Sequence, residues 1–140
     1  MSTHLTCGKL FNGLSDVALE NQSIVIDGDR ISYVGPTSEA PKAANQDDTV
    51  DYSKDFVLPG LIDIHVHLSY GNAQANEDVD MYSPPEFRAL RALAASQKVL
   101  KAGYTSMADP ASTNRVSPAV RDSINAGMFQ GPRITSSGRQ

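Results

Sequence analysis

Two histidines, His65 and His67, stand two residues apart in an apolar run, Leu58-Pro59-Gly60-Leu61-Ile62-Asp63-Ile64-His65-Val66-His67-Leu68. The apolar residues after the Pro-Gly break predict a strand over residues 61–68, with the nearly continuous hydrophobicity of a buried parallel strand. Alternate side chains of a strand share a face, so the two imidazoles are predicted on one face, about 6–7 Å apart. Such a pair can bind one cation at the usual Zn–N distance of about 2.0–2.1 Å. The pair therefore predicts half of a metal site.

The alternative is two polar residues on the solvated face of an antiparallel strand. Histidine is not a typical strand-forming residue, and metal binding is one of its commonest special roles. Two imidazoles in a buried strand also need a partner or a cation to offset their desolvation. The metal site is therefore the favoured interpretation.

Composition excludes several other classes of protein. The chain has 140 residues, a formal net charge of −4 and one cysteine, Cys7. A negative net charge gives no basic surface of the kind that binds nucleic acid, and a single cysteine excludes an internal disulfide. No apolar run approaches the ~20 residues of a membrane span, and the N-terminus lacks the layout of a signal peptide. A cytoplasmic protein is expected, with no nucleic-acid or membrane partner.

The first part of the chain predicts short β-strands, over residues 5–10, 23–26, 30–34, 49–51 and 56–58. Asp27-Gly28-Asp29 separates the second and third strands and is a hairpin signal, because glycine readily takes a positive φ. Residues 37–48 are predicted as an exposed loop.

Strands alternate with helices after residue 60. A helix is predicted over residues 84–102, with Ser83 as its N-cap, Pro84 at the first helical position and Glu86 completing a capping box. Gly103 is its expected C-terminal stop. The core-facing stripe of this helix is predicted to consist of Phe87, Leu90, Ala94 and Leu100.

The remaining sequence predicts a strand over 104–109, a second helix from Ser117-Pro118 to Ala126-Gly127, and a strand over 133–136. This alternation implies right-handed parallel βαβ units and an α/β fold. A (β/α)8 barrel takes about 200–250 residues, so the sequence predicts only the start of a TIM-type barrel.

The run over residues 58–68 resembles the first barrel strand of the metal-dependent amidohydrolase superfamily, in particular the imidazolonepropionase and prolidase-like amidohydrolases. Residues 26–35 are similar to the hairpin of that family's small β-sandwich, residues 102–109 to its second barrel strand and residues 131–139 to the run entering its third. The resemblance implies part of a β-sandwich domain over 1–58 and the first three strands and two helices of the barrel over 59–140. It thus implies the N-terminal portion of a longer enzyme.

By this resemblance, His65 and His67 are ligands of a divalent metal, commonly zinc, in a centre of one or two ions. The family's other ligands come later in its sequences, so no catalytic base is assigned in this chain. A metal lowers the pKa of bound water from 15.7 to about 7 and polarises a carbonyl oxygen. The implied reaction is hydrolysis of a carbon–nitrogen bond in a small amide, cyclic amide or dipeptide. One departure is Ala108, where the family often carries an arginine before its aspartate, here Asp109.

Two carboxylates are candidates for supporting the metal site, because metal-bound histidines usually donate their other N–H to an acceptor. Asp63 shares the predicted strand face of the histidines, and Asp109 ends the second strand. The alternatives are a purely structural hydrogen bond for Asp63 and capping of the following loop for Asp109. The loop over residues 69–83 is predicted either as a lid or as a solvated acidic segment; its notable residues are Tyr70, Glu77, Asp78, Asp80 and Tyr82.

A noncatalytic amidohydrolase-like scaffold or subunit is the alternative function. The paired histidines favour the enzyme, because a scaffold has no physical need for them. Two ligands fall short of the three that a catalytic zinc site normally takes from protein. The 140-residue chain alone is therefore expected to be inactive, to bind metal weakly and to aggregate through its strand edges. Whether a longer form is a homo-oligomer stays open.

Overall fold

The computed structural model describes residues 2–45, 48–71, 73–75, 77 and 82–138. The chain divides into two compact units, Met1–Pro59 and Gly60–Gln140. The first unit contains the strands β1 (Ser2–Leu10), β2 (Leu19–Asp27), β3 (Arg30–Pro36) and β4 (Thr49–Val57), with a short 3-10 helix at Thr37–Glu39. The second contains β5 (Leu61–Asp63), a 3-10 turn at Leu68–Tyr70, α1 (Pro85–Lys101), β6 (Tyr104–Asp109), α2 (Val116–Asn125) and β7 (Arg133–Ser136).

The first unit is a four-stranded sheet in the order β3-β2-β1-β4. β2 pairs antiparallel with both of its neighbours, whereas β1 and β4 run parallel. The predicted turn is confirmed, since Gly28 adopts a φ of 62° between β2 and β3. The buried residues of this sheet include Cys7, Leu10 and Val25. Burial raises the pKa of the Cys7 thiol.

β4 is one strand where the sequence predicts two short ones. The polar stretch between the predicted strands is accommodated by a register shift in the β1–β4 pairing between Cys7 and Lys9. Gly8 lies at this irregularity, and a Cβ there would stand only 2.2 Å from the carbonyl oxygen of Ser53. A glycine at this position lets the two backbones approach closely enough for the strand to continue.

The second unit is a three-stranded parallel sheet in the order β5-β6-β7, with α1 and α2 as the connections. β6 and β7 have the predicted bounds, which confirms the strand–helix alternation and the mixed α/β fold. α2 begins one residue earlier than predicted, and Ile124 packs against the same core as Val120, as the spacing by four requires. The buried core of this unit consists of Leu68, Ala92, Met107, Val116, Val120 and Ile134.

The predicted start of α1 is wrong. The helix begins at Pro85, its N-cap is Pro84, and no side chain caps it. Pro84 precedes another proline and is therefore biased towards the extended conformation that it adopts, with φ −64° and ψ 151°. Ser83 consequently lies outside the helix, where its carbonyl oxygen accepts a hydrogen bond from Nε of Arg88 at 2.7 Å.

The predicted core stripe of α1 is wrong at three of its four residues, since only Leu100 is half-buried. Phe87 and Leu90 are 54% and 64% exposed, and Ala94 is exposed as well. The buried face instead carries Ala92 and Ser96, which are fully buried and small enough for the helix to lie close to its neighbours. Partly buried residues beside them pack against the core, namely Ala89, Leu93 and Val99. A prediction from large apolar residues selected the wrong face because small residues make the close contact.

Within the described residues, no helix combines the length and apolar character that a membrane crossing requires.

Candidate metal centre

The strand expected to carry the histidines is shorter than predicted and does not include them. β5 ends at Asp63, and His65 and His67 lie in the irregular segment that leads to the 3-10 turn. Oδ1 of Asp63 accepts the backbone N–H of His65 at 3.1 Å, and such a local bond competes with strand pairing. β5 is also an edge strand of the described sheet; Ile62 within it and Ile64 just after it are 65% and 79% exposed rather than buried. The expectation of a buried strand over residues 61–68 is therefore wrong.

The two imidazoles are nevertheless close together. Their ring centroids are 5.1 Å apart and their planes make an angle of 80°. His65 is exposed and His67 is half-buried. Regular strand alternation does not account for this arrangement, because neither residue lies in β5; a bend at residues 64–65 separates the strand from His67.

The ring of His67 is fixed on two sides. Its Nδ1 lies 2.9 Å from the carbonyl oxygen of Ala111, and Tyr70 stacks on it with centroids 4.9 Å apart and planes 22° apart. A carbonyl oxygen can only accept, so the bond requires the proton on Nδ1 of the neutral ring. The lone pair of the neutral ring is then on Nε2, the nitrogen that a metal ion would bind.

The candidate carboxylates both bond to backbone. Asp109 is 1% exposed; its Oδ2 accepts the N–H of Leu68 at 3.2 Å and its Oδ1 accepts the N–H of Ala111 at 3.1 Å. These contacts fit the loop-capping interpretation of Asp109, and the bond from Asp63 to the N–H of His65 fits a structural role. The acceptor for the His67 ring is a main-chain carbonyl, for which the sequence carries no side-chain signal.

Several contacts join the segment after His67 to the segment after β6. Oγ of Ser69 accepts the N–H of Thr113 at 3.0 Å. Two arginines of α1 reach the same segments: Arg91 donates to the carbonyl of Ser69 and Arg88 to the hydroxyl of Thr113, both at 3.4 Å. The sequence reasoning missed these residues, because nothing in their spacing links positions so far apart.

The predicted lid is only partly described. Tyr70 contacts His67, and the N–H of Tyr82 donates to the carbonyl of Glu77 at 3.1 Å. Asp78 and Asp80 lie outside the described residues. Neither the lid nor the solvated-loop interpretation is tested by these contacts.

The donor set fits a divalent metal in part. Two imidazole nitrogens are typical ligands of zinc, copper, iron and nickel, and His67 already has the second hydrogen bond that metal-binding histidines usually make. In the described ranges, no group of three or more His, Cys, Asp or Glu side chains is placed to bind a metal ion. The pair can therefore supply two ligands of a centre, and the others would have to come from elsewhere.

Comparison with known proteins gives this pair its context. Residues 56–138, which include both histidines, match the family described as the amidohydrolase family. The chain belongs to the amidohydrolase family. The resemblance inferred from the sequence is thereby confirmed.

Individual amidohydrolases are similar to longer or shorter parts of the chain. Imidazolonepropionase of Roseobacter denitrificans is 39% identical over 59 residues, which cover 42% of this chain and 15% of that protein. The crystal structure of a Xaa-Pro dipeptidase with bound methionine covers all of this chain at 33% identity and a TM-score of 0.86. A prolidase complexed with N-methylphosphonate-L-proline covers 99% of it at 31% identity and a TM-score of 0.80. The chain spans about a third of these two solved structures, 34% and 32%.

Proposed function

We propose that this amidohydrolase is a metal-dependent hydrolase of carbon–nitrogen bonds, with His65 and His67 as two of its metal ligands. The observation that carries the proposal is the arrangement of His67, whose ring lies 5.1 Å from that of His65 while its Nδ1 is bonded to the Ala111 carbonyl. A surface histidine has no need of such orientation. A metal ligand does, because its free nitrogen must point at the ion.

The position of the pair in the second unit supports the same proposal. Both histidines follow the carboxyl end of β5, and the Ala111 carbonyl follows the carboxyl end of the neighbouring strand β6. Enzymes built on (β/α)8 barrels place their catalytic groups at this end of the strands. We propose that β5, β6 and β7 are the first three strands of such a barrel, and that residues 1–58 are part of a β-sandwich domain.

A divalent ion bound at the pair would polarise a carbonyl group and acidify water at neutral pH. The described side chains have supporting roles. Asp63 fixes the backbone at His65, Tyr70 covers one face of the His67 ring, and the Ala111 carbonyl keeps the proton of that ring on Nδ1. The general base that moves the proton to the leaving nitrogen is not assigned to a residue of this chain.

We propose a small amide as substrate, either a Xaa-Pro dipeptide or a cyclic amide. The structural likeness to a Xaa-Pro dipeptidase supports the first, and the sequence similarity to the R. denitrificans imidazolonepropionase supports the second. We further propose zinc as the metal, in a centre of one or two ions, and a cytoplasmic location. No role for nucleic acid or membrane is proposed, and a homo-oligomer is an open expectation that size-exclusion chromatography with light scattering would test.

The experiment is a substrate panel on the protein produced from the complete reading frame that encodes this chain. Xaa-Pro dipeptides, matched dipeptides without proline and imidazolonepropionate are assayed before and after removal of metal with a chelator, and again after zinc is restored. The proposal predicts hydrolysis of at least one amide that is lost on chelation and recovered with zinc. A well-folded protein that binds no metal and cleaves none of these substrates would instead be the noncatalytic scaffold.

A further inference from the structure

We infer that Asp109 is a positioning residue for His67, and that it acts through the backbone of the Ala111 loop, defined here as residues 110–113. This inference rests on the proposed function, since it concerns how a proposed metal ligand is oriented. It differs from direct support of a ligand, because the Asp109 carboxylate bonds to backbone N–H groups and the ring bonds to a carbonyl.

The carboxylate of Asp109 connects the two segments that determine where the His67 ring lies. One oxygen accepts the N–H of Leu68, the residue directly after His67. The other oxygen accepts the N–H of Ala111. The carbonyl oxygen of Ala111 in turn accepts a hydrogen bond from Nδ1 of His67. The result is a closed circuit. Hydrogen bonds join Asp109 to Leu68, His67 to Ala111 and Ala111 to Asp109, and the peptide chain joins Leu68 to His67. Movement of either segment would change the direction in which Nε2 points.

The far side of Asp109 is also fixed. Its backbone carbonyl accepts the N–H of Ser137 at 3.0 Å, and the hydroxyl of Ser137 donates to the carbonyl of Pro110. Ser137 directly follows β7, so the Ala111 loop is connected to the third strand of the sheet as well as to the His67 segment. Asp109 is therefore connected to β7 through backbone carbonyls and to the His67 segment through its carboxylate.

The burial of Asp109 indicates why this residue is an aspartate. At 1% exposure, an ionised carboxylate is costly unless each oxygen is hydrogen-bonded, and here each oxygen accepts one N–H. An asparagine of the same shape has one acceptor oxygen, and its NH2 group would face the second N–H. Asp109→Asn therefore removes one bond of the circuit and changes the volume of the side chain very little.

Ser69 offers a second, milder perturbation of the same connection. Its hydroxyl accepts the N–H of Thr113, so it joins the His67 segment to the Ala111 loop without touching Asp109. Ser69 is fully buried, and Ser69→Ala leaves the packing nearly unchanged. Asp122 is a suitable control, because its carboxylate lies on the exposed side of α2 and bonds to Arg121.

The test measures zinc affinity by competition with a chelator, together with the visible absorption spectrum of the cobalt-substituted protein, which reports the geometry around the ion. The protein is produced from its complete reading frame, and circular dichroism checks the fold of each variant. We expect Asp109→Asn to weaken zinc binding about 10–100-fold and to alter the cobalt spectrum. We expect Ser69→Ala to weaken it several-fold, and Asp122→Asn to leave both readouts unchanged.

The outcomes separate this inference from the proposed function. If wild type binds zinc and His67→Ala does not, the metal site stands. If folded Asp109→Asn then retains wild-type affinity and spectrum, the inference about Asp109 is wrong. Should Asp109→Asn fail to fold, Asp109→Ser decides, because its single hydroxyl oxygen replaces the two acceptor oxygens of the carboxylate, and wild-type affinity and spectrum for it would overturn the inference. If wild type binds no metal, the proposed function fails and takes the inference with it.

Discussion

Nδ1 of His67 lies 2.9 Å from the carbonyl oxygen of Ala111, 44 residues further along the chain. The two residues follow neighbouring parallel strands, β5 and β6, whose carboxyl ends meet at one edge of the sheet. The loop after β6 therefore determines which ring nitrogen of His67, in the segment after β5, is available to a ligand. This is a property of the fold, because no side chain of the Ala111 loop takes part in the bond.

Asp63 should affect metal binding through His65 alone. Its Oδ1 accepts the N–H of His65, and loss of one such bond costs about 0.5–1.5 kcal/mol. We expect Asp63→Ala to weaken zinc binding several-fold in a chelator competition. Asp63→Asn is the matched control, because its side-chain oxygen can still accept this N–H. Equal affinities of Asp63→Ala and wild type would contradict the assignment.

Tyr70 should contribute through its ring and not through its hydroxyl. It stacks on His67 at 4.9 Å and is 44% exposed. Aromatic pairs contribute about 0.5–1.5 kcal/mol, which corresponds to roughly two- to tenfold in an equilibrium constant. Tyr70→Ala should weaken zinc binding by a factor in this range, and Tyr70→Phe should not. A loss of affinity in Tyr70→Phe as large as that in Tyr70→Ala would show that the hydroxyl matters instead.

Gly8 should tolerate no side chain. A Cβ there would stand 2.2 Å from the carbonyl oxygen of Ser53 and 2.8 Å from its carbonyl carbon, and both are backbone atoms that cannot move alone. Overpacking typically costs about 1–3 kcal/mol. Gly8→Ala should therefore lower the free energy of unfolding by about 1–3 kcal/mol or more. Urea denaturation followed by circular dichroism measures it.

Gly28 provides the comparison for Gly8. It has a φ of 62°, and a Cβ added there would meet no atom within 4 Å, so only backbone conformation restricts it. Asparagine tolerates that conformation better than most residues. Gly28→Asn should therefore cost much less than Gly8→Ala. The reverse order would mean that the β1–β4 irregularity is not as closely packed as the distances indicate.

Cys7 should make the stability of the first sheet depend on alkaline pH. Burial raises the pKa of its thiol in the folded chain, whereas the pKa of the unfolded thiol is about 8.5. The unfolded state then releases the proton first, so stability is unaffected below this value and falls as pH rises through the folded pKa. Urea unfolding of wild type and Cys7→Ala at neutral and alkaline pH should show the extra decline in wild type alone. An identical decline in Cys7→Ala would contradict it.

The elements with strong local signals were predictable. β6 and β7 have the expected bounds, and Gly28 takes the positive φ that its hairpin requires. These features depend on residues next to each other in the chain. The family was predictable for a different reason: the run containing His65 and His67 is distinctive at single-residue level.

The features that sequence reasoning missed depend on long-range contacts or on small residues. The predicted core-facing side of α1 was wrong, because the small residues Ala92 and Ser96 are buried while Phe87 and Leu90 are exposed. The strand predicted over residues 61–68 was too long, because the Asp63 side chain accepts a hydrogen bond from the N–H of His65 just after β5 ends. The Ala111 carbonyl could not be predicted from the sequence as the hydrogen-bond acceptor of His67, because every residue has a backbone carbonyl.

The central claim is that His65 and His67 bind one divalent ion together, and metal content of purified variants tests it most directly. The protein from the complete reading frame is compared with His65→Ala, His67→Ala and, as control, His4→Ala in β1, each after equilibration with zinc and gel filtration. We predict that wild type and His4→Ala retain zinc, while His65→Ala and His67→Ala each lose at least one ion per chain. Wild-type zinc content in both His65→Ala and His67→Ala, with the fold intact, would contradict the account.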